Sequence, residues 1–323
     1  ANAAPLPLSI NEIKDIDSVF EAIGERVFYT GNKIFGNSAF VENCDNITDS
    51  HYVKDSFNIH TSKYVAYSSY VHDNSEFIFG SSWLGRGKFL IRAINALDLN
   101  RSFECYSSGI GSDMFCAFNC LNCYDVMFSF NLKAKRNAIG NLELPKDKYL
   151  ELKKKLLSEA RQYIERHKDF PSILEIAAGK PLPAGMPKEI AINPLPKYDP
   201  APIERSWAST SKLIFGNEIG TLQQASGYLK EQLRKTSTVK TPYGSTAYFA
   251  DIFFFPAIPK ERMVSNEEAT ELSKMALAEA EIGTLGQLLS NLQKIAFYRI
   301  NFRGGSEMNN ANTAIAYDSI NAY

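Results

Sequence analysis

The sequence predicts an α+β protein in which an N-terminal domain of short β repeats, a β-solenoid or an antiparallel meander, precedes an α+β domain. Three observations carry this. A mostly aromatic position recurs every 12 to 14 residues from Phe40 to Met127. An amphipathic helix pattern follows at once, and beyond a proline-rich stretch helical and strand-like segments alternate. The 323 residues amount to roughly two domains and suffice for a self-contained core.

Charge and hydropathy exclude several functions. With 35 Lys+Arg against 36 Asp+Glu, the net charge of −1 argues against a strongly basic nucleic-acid binder and against a polyanionic tail. No apolar run approaches the roughly 20 residues that span a bilayer. The densest, Ala250 to Ile258, is interrupted by Pro256.

Residues 1–35 read as an N-terminal arm and a helix. The chain starts at Ala1, and ANAAPLPLS lacks the basic and apolar regions of a signal peptide, so a processed end is expected. Ser9-Ile-Asn-Glu12 is a capping box that opens a helix to about Arg26, with Ile10, Ile13, Val19, Phe20 and Ile23 able to face the core.

Residues 36–145 form the repeat domain. Its anchors are Phe40, Tyr52, Tyr64, Phe77, Phe89, Phe103, Phe115 and Met127. Four residues after them come Cys44, Ser56, Ser68, Ser81, Ala93, Ser107, Asn119 and Asn131, all small or amide-bearing. Seven after them comes a mostly aliphatic set that starts Ile47, Ile59, Val71 and Leu84. Short strands joined by tight corners fit this pattern, with anchors and aliphatics inward and the small residues at the corners. In a solenoid, equivalent residues stack about 4.8 Å apart as ladders; a meander has the same strand spacing.

Pro145 suits the first turn of a helix over 146–167, part of a helical segment 146–180. Tyr149, Leu152, Leu156, Leu157, Ala160, Tyr163 and Ile164 share its apolar face. Residues 181–203 hold seven of the 14 prolines and read as a stiff connector, or as an arm laid on another subunit. In the α+β domain, 204–323, a helix is expected around 219–235 and a strand at 247–255. A capping box, Ser265 to Glu268, opens a long helix to about 292, interrupted near Gly283 and Gly286, and a strand follows at 294–302.

Two resemblances attach to these residues. The 12-residue period with small residues in register resembles tight β-solenoids such as the insect antifreeze proteins, without their Thr-x-Thr face or paired cysteines. The segment CAFNCLNCYDVMFSFNLKAKRNAIGN, Cys116 to Asn141, is similar to Cys/Asn-rich repeat proteins of prokaryotes and their viruses.

Candidate chemistry is sparse. The five cysteines, Cys44, Cys105, Cys116, Cys120 and Cys123, read as reduced thiols. Cys116-x3-Cys120-x2-Cys123 resembles the cluster-binding loop of radical S-adenosylmethionine enzymes, which implies three thiolates on an iron–sulfur cluster, or a zinc site. No βα-barrel alternation follows, however, and the cysteines fall on repeat positions, where thiols act as small buried hydrophobes. His60 and His72 each lie eight residues after an anchor, so they could stack on one face and share a metal with Asp73. GSSWLGRGKF, Gly80 to Phe89, lacks the phosphate-loop signature and reads as a corner of the repeat.

The leading functional reading is a structural protein that assembles with copies of itself, foremost a viral capsid or virion shell subunit, with a cytoplasmic or cell-surface assembly as the variant. An extended arm, a β-rich excursion, a long helix and an α+β domain stand in an order similar to that of tailed-virus major capsid proteins, which are commonly matured by N-terminal cleavage. This reading assigns no cofactor, catalytic residue or metal ligand. The alternative is a metal- or iron–sulfur-binding enzyme built on Cys116, Cys120 and Cys123.

Overall fold

A computed structural model of the chain describes residues 14–24, 31–72, 74–91, 97–103, 111–190, 199–232, 236–250 and 257–300. Residues 34–139 form a β-solenoid. Four-residue strands alternate with two-residue turns: Ala39–Glu42, Asp45–Thr48, His51–Lys54, Phe57–His60, Lys63–Ala66 and Ser69–His72. Each strand pairs in parallel with the strand after next, so two strands make one coil. Val41 lies opposite Val53 and Val53 opposite Val65, while Ile47 lies opposite Ile59 and Ile59 opposite Val71. Parallel pairing at this offset decides between solenoid and meander. One coil is longer: Lys63 pairs with Glu76, with an extra residue between His72 and Asn74. Thereafter Phe79 pairs with Ile91, Ile91 with Phe103, Phe103 with Phe115 and Phe115 with Met127. The coil length therefore returns to twelve; the 14-residue step seen in the anchors is a change of column.

Every third residue makes a left-handed turn. From Phe40 to Tyr70 the series is Phe40, Asn43, Asn46, Asp49, Tyr52, Asp55, Asn58, Thr61, Tyr64, Tyr67 and Tyr70, with φ between +45° and +59°. After the longer coil it continues at Asn74, Phe77 and Gly80, and it runs again from Asp113 through Cys116, Asn119, Asn122 and Asp125 to Asn137. Four such turns close a coil, and the residue after each points inward. Buried positions thus alternate in size: Cys44, Ile47, Ser50, Val53, Ser56, Ile59, Ser62, Val65, Ser68, Val71. Through Ser81 the described aliphatic and small residues face as the sequence predicts, whereas after the change of column Asn119, Asn122, Asn131 and Ala134 stand on corners; the anchors do not face inward even in the first coils. Phe40 is 69% exposed, and Tyr52 and Tyr64 are also exposed. They stand on corners, where their rings stack in a ladder on the outside: Phe40 on Tyr52 at 4.6 Å, Tyr52 on Tyr64 at 5.1 Å and Tyr64 on Phe77 at 5.0 Å. Phe103, Phe115 and Met127 also face outward, but against other parts of the chain. The side chain of Phe89 lies outside the described residues.

The small inward residues close the corners chemically. Ser50 Oγ donates to the Thr48 carbonyl at 2.8 Å and accepts the Ser62 N–H, one coil on, at 3.0 Å. Ser56 and Ser68 repeat this, donating to Lys54 and Ala66 and accepting from Ser68 and Ser81. Each hydroxyl thus takes up an amide of the next coil, while the carbonyl to which it donates also accepts a backbone N–H: Thr48 from Thr61, Lys54 from Tyr67 and Ala66 from Gly80. At one coil the corner admits no side chain at all: a Cβ on Gly111 would lie 2.4 Å from the Cys123 carbonyl oxygen.

The far end of the solenoid is closed by the rest of the chain. Residues 138–139 pair antiparallel with Leu142–Glu143. The Leu277 N–H donates to the Gly140 carbonyl at 2.9 Å, and the side-chain amides of Asn141 and Asn131 donate to the carbonyls of Met275 and Phe297. This crossing explains why the helix expected over 265–292 is broken. It begins at its capping box as α5, Asn266–Leu272, crosses the solenoid end irregularly with one 3-10 turn at Glu279–Glu281, and restarts at Thr284 as α6, Leu285–Asn291. (α1 is Ile16–Gly24, α2 is Lys146–His167, α3 is Ala201–Phe215 and α4 is Leu222–Leu229.) The strand expected at 294–302 is reduced, among the described residues, to Tyr298–Arg299, parallel to Met263–Val264.

Other expectations need correction. The Ser9 capping box and the first eight residues lie outside the described residues; α1 instead opens with reciprocal bonds between Asp15 and Ser18. Ile16, Phe20 and Ile23 of α1 are exposed rather than core-facing. The proline-rich stretch lies on this chain, at least to residue 190. Buried Arg262 donates to the carbonyls of Lys180 and Pro181, and Met186 and Ile190 pack beside Val264 and Phe297. Residues 191–198 are outside the described set. α3, unforeseen, starts between Pro200 and Pro202, a position that suits proline. The helix expected at 219–235 is α4 with a short 3-10 turn, and the strand expected at 247–255 is described over Thr246–Ala250, paired with Thr236–Lys240.

These orientations separate two substitutions. Ile59→Ala empties a sealed position and should cost about 2–5 kcal/mol. Phe40→Asn loses one stacked ring but puts a residue that tolerates positive φ on the corner, so its net effect should stay within about 1 kcal/mol. Urea denaturation of both variants measures the difference; equal losses would mean that the anchor column is core.

Candidate functional site

One outward column of the solenoid changes character along its length. It starts as Glu42 and Lys54, an exposed ion pair of 2.8 Å. It continues through exposed Phe79 and Ile91 and half-buried Phe103 and Phe115, and ends at fully buried Met127 and Ile139. This apolar end receives α2. Met127 and Ile139 share a core with Tyr149, Leu156 and Ala160, and Lys153 fixes the helix from the side. Its ammonium lies 2.9 Å from Asp125 and over the rings of Phe115 and Tyr149, at 5.0 and 5.5 Å from their centroids. Burial pushes the Tyr149 hydroxyl far above its usual ionisation range.

Where the column runs out from under α2, a groove of about 300 Å³ remains open. Ile91 and Phe103 supply one wall, and Leu157, Ala160 and Ile164 supply the other. Arg161 and Glu165 stand at its rim, 3.7 Å apart and both exposed. The lining is apolar and the rim charged, which suits an apolar side chain flanked by charges of both signs.

A second apolar surface lies on α3 and α4. The helices are joined by Trp207 Nε1 donating to the Gly220 carbonyl at 2.9 Å and by the Leu222 N–H donating to Glu204 at 3.1 Å. Their less exposed positions include small residues: Ser211 is buried, and Ala208, Ala225 and Ser226 are half-buried. Neither helix buries a large apolar side chain. At their joined tip Leu213 is 86%, Ile214 68% and Phe215 63% exposed, with Ile219 close in sequence. Gly216 ends α3 in the left-handed conformation, and exposed Lys212 and Glu218 bracket this tip.

The cysteines and histidines are placed by the coil. Cys116 sits on a left-handed corner and packs outward with Phe118 and Phe128. Cys120 and Cys123 face the solenoid interior with Ala117 and Val126. All three are free and buried. Cys44 Sγ donates to the Glu42 carbonyl at 3.0 Å, and Cys123 Sγ to the Leu121 carbonyl at 3.4 Å, the carbonyl two residues back that serines use elsewhere. Burial raises the Cys44 thiol, whereas the hydrogen bond from Cys120 holds Cys123 below the usual thiol range. Among the described residues no group of three or more His, Cys, Asp or Glu is arranged to hold a metal ion. His60 and His72 fall on one outward column, as predicted; the His60 ring bonds Asn58 Oδ1 at 3.0 Å, and Asp73 lies outside the described residues. Gly80, which opens the glycine-rich segment, occupies a corner at φ +71°.

The C-terminal core holds a buried guanidinium. Arg262 is fully enclosed, 5.2 Å from the Phe297 ring, and donates only to carbonyls among the bonds described. Desolvation lowers its ionisation from the usual arginine value. Burial likewise pushes the nearby Tyr243 hydroxyl up to about 12.

Sequence reasoning passed over both the groove and the apolar tip. Their signal was local: the outward column turns apolar from Phe79 onward, and Leu213-Ile214-Phe215 sits immediately before a helix-ending glycine. No protein-family model matches the chain, and no curated protein or solved structure matches it either.

Two outcomes follow from this chemistry. Cys120→Ser and Cys123→Ser should leave the metal content of the purified protein unchanged by elemental analysis; loss of bound iron or zinc would place a metal on these thiols. An unfolded tyrosine ionises near 10, so Tyr243 favours the folded state below that pH, and its contribution disappears as the pH rises from there through about 12. Tyr243→Phe should therefore move alkaline unfolding, followed by circular dichroism, to higher pH.

Proposed function

We propose that this chain is a structural subunit that assembles with copies of itself. The carrying observation is the apolar tip of α3 and α4. Three consecutive large side chains stand almost fully in solvent on helices that have no core of their own. Exposed apolar clusters of this kind mark association surfaces. A shell, and foremost a virion shell, is the assembly we favour. The support for it is the order of elements along the chain, namely arm, repetitive β domain, long amphipathic helix, then α+β domain. Repeating backbone and side-chain ladders also give a stiff body, which suits a load-bearing part.

Light scattering and negative-stain electron microscopy of the purified full chain test this. The expected result is a discrete particle many times the 36.1 kDa chain mass. A folded monomer at micromolar concentration would overturn the reading. The double variant Leu213→Glu, Phe215→Glu should retain the wild-type melting transition and lose the particle, because neither side chain is buried within the chain.

A further inference from the structure

We propose that the α3–α4 tip of one copy inserts into the groove between the solenoid and α2 of another copy. This rests on the self-assembly reading and deepens it by naming both halves of the contact. The tip presents Leu213, Ile214 and Phe215 beyond the reach of any core. The groove, about 300 Å³, is lined by Ile91, Phe103, Leu157 and Ile164 and has room for one or two large side chains. Each is the kind of surface that the other lacks.

Charge selects a second copy over a generic apolar partner. The tip is bracketed by Lys212 and Glu218 and the groove by Arg161 and Glu165. Seating the tip with Lys212 toward Glu165 and Glu218 toward Arg161 satisfies both pairs, and the opposite seating sets like charges against each other. Such complementarity fixes orientation more than it adds affinity. A lipid bilayer offers no partner for either charge.

The geometry also sets the kind of assembly. The tip and the groove are different surfaces, so the contact is heterologous, and every copy retains one free tip and one free groove after pairing. Such contacts propagate into a ring, a closed shell or a filament instead of stopping at a two-fold dimer.

The test uses the full chain and five variants: Phe215→Glu in the tip, Ile164→Glu in the groove, the single charge reversals Lys212→Glu and Glu165→Lys, and the two reversals combined. Assembly is followed by light scattering against concentration, and folding by circular dichroism. The tip and groove variants should each raise the concentration for half-assembly at least tenfold. Mixed together they should remain unassembled, except for heterodimers built from the one intact tip and one intact groove. Each single reversal should weaken assembly, and the double reversal should restore it. If wild-type chain assembles while groove variants assemble equally well, the pairing is wrong and the assembly reading stands. If wild-type chain is monomeric, both fall. Tip-dependent flotation with phosphatidylcholine vesicles, unaffected by Ile164→Glu, would assign the tip to membranes and overturn the proposal.

Discussion

A left-handed backbone turn at every third residue is the constraint from which the solenoid follows. For residues with a Cβ this conformation costs roughly 1–2 kcal/mol each, and the chain accepts it at every third residue from Phe40 to Tyr70 and again from Asp113 to Asn137. Asparagine and aspartate, which tolerate it best, occupy many of the corners. Aromatic residues occupy others, and there the stacked rings of successive coils offset part of the strain. Four such turns bend the chain back on itself in twelve residues. The enclosed space is so narrow that large and small side chains must alternate around it. Valine and isoleucine fill two sides, and serine or cysteine fills the other two, the serine hydroxyls accepting from amides of the next coil.

The second half of the structure depends on that regularity. Because equivalent residues stack in columns, a gradual change in one column creates a flat apolar strip, and α2 lies on its more buried end. The last coil exposes backbone carbonyls and side-chain amides at fixed spacing, and residues 275–277 and 297 meet them. Arg262 then ties the proline-rich stretch to the same body through backbone carbonyls alone. A buried guanidinium without a carboxylate partner is expensive; the Phe297 ring face and the carbonyls compensate for it locally.

The twelve-residue period, the fold class and the extent of α2 were legible in the sequence because each rests on repetition or periodicity. The direction of the anchors was not. Large aromatic residues at regular spacing look like a core, and only their alternation with Asn43, Asn46, Asp49, Asp55 and Asn58 at three-residue steps betrays corners. The break between α5 and α6 was expected near Gly283, but it begins earlier, directly after Leu272, and that start was hidden for a different reason. Nothing in SKMALA, 273–278, opposes a helix, and the chain leaves the helix there because Leu277 and Met275 bond to the solenoid end, a tertiary demand that no local pattern records. α3 was masked by its own prolines, which were counted as linker although they stand at the helix start. The groove is made by residues some 60 to 70 positions apart, so only the folded chain brings it into existence.

The single longer coil at His72 to Asn74 has a bearing on how such a chain changes over evolutionary time. The ladders accept one extra residue between two strands and the columns stay in register, but a lone insertion inside a strand would turn every later side chain to a different face. Gain or loss of a whole coil disturbs nothing, since each column simply lengthens or shortens by one rung of about 4.8 Å. The repeat therefore behaves as a ruler graduated in twelve-residue steps. Relatives of this chain should differ in length by that quantum, and with it in the distance between the first coil and the body that closes the last.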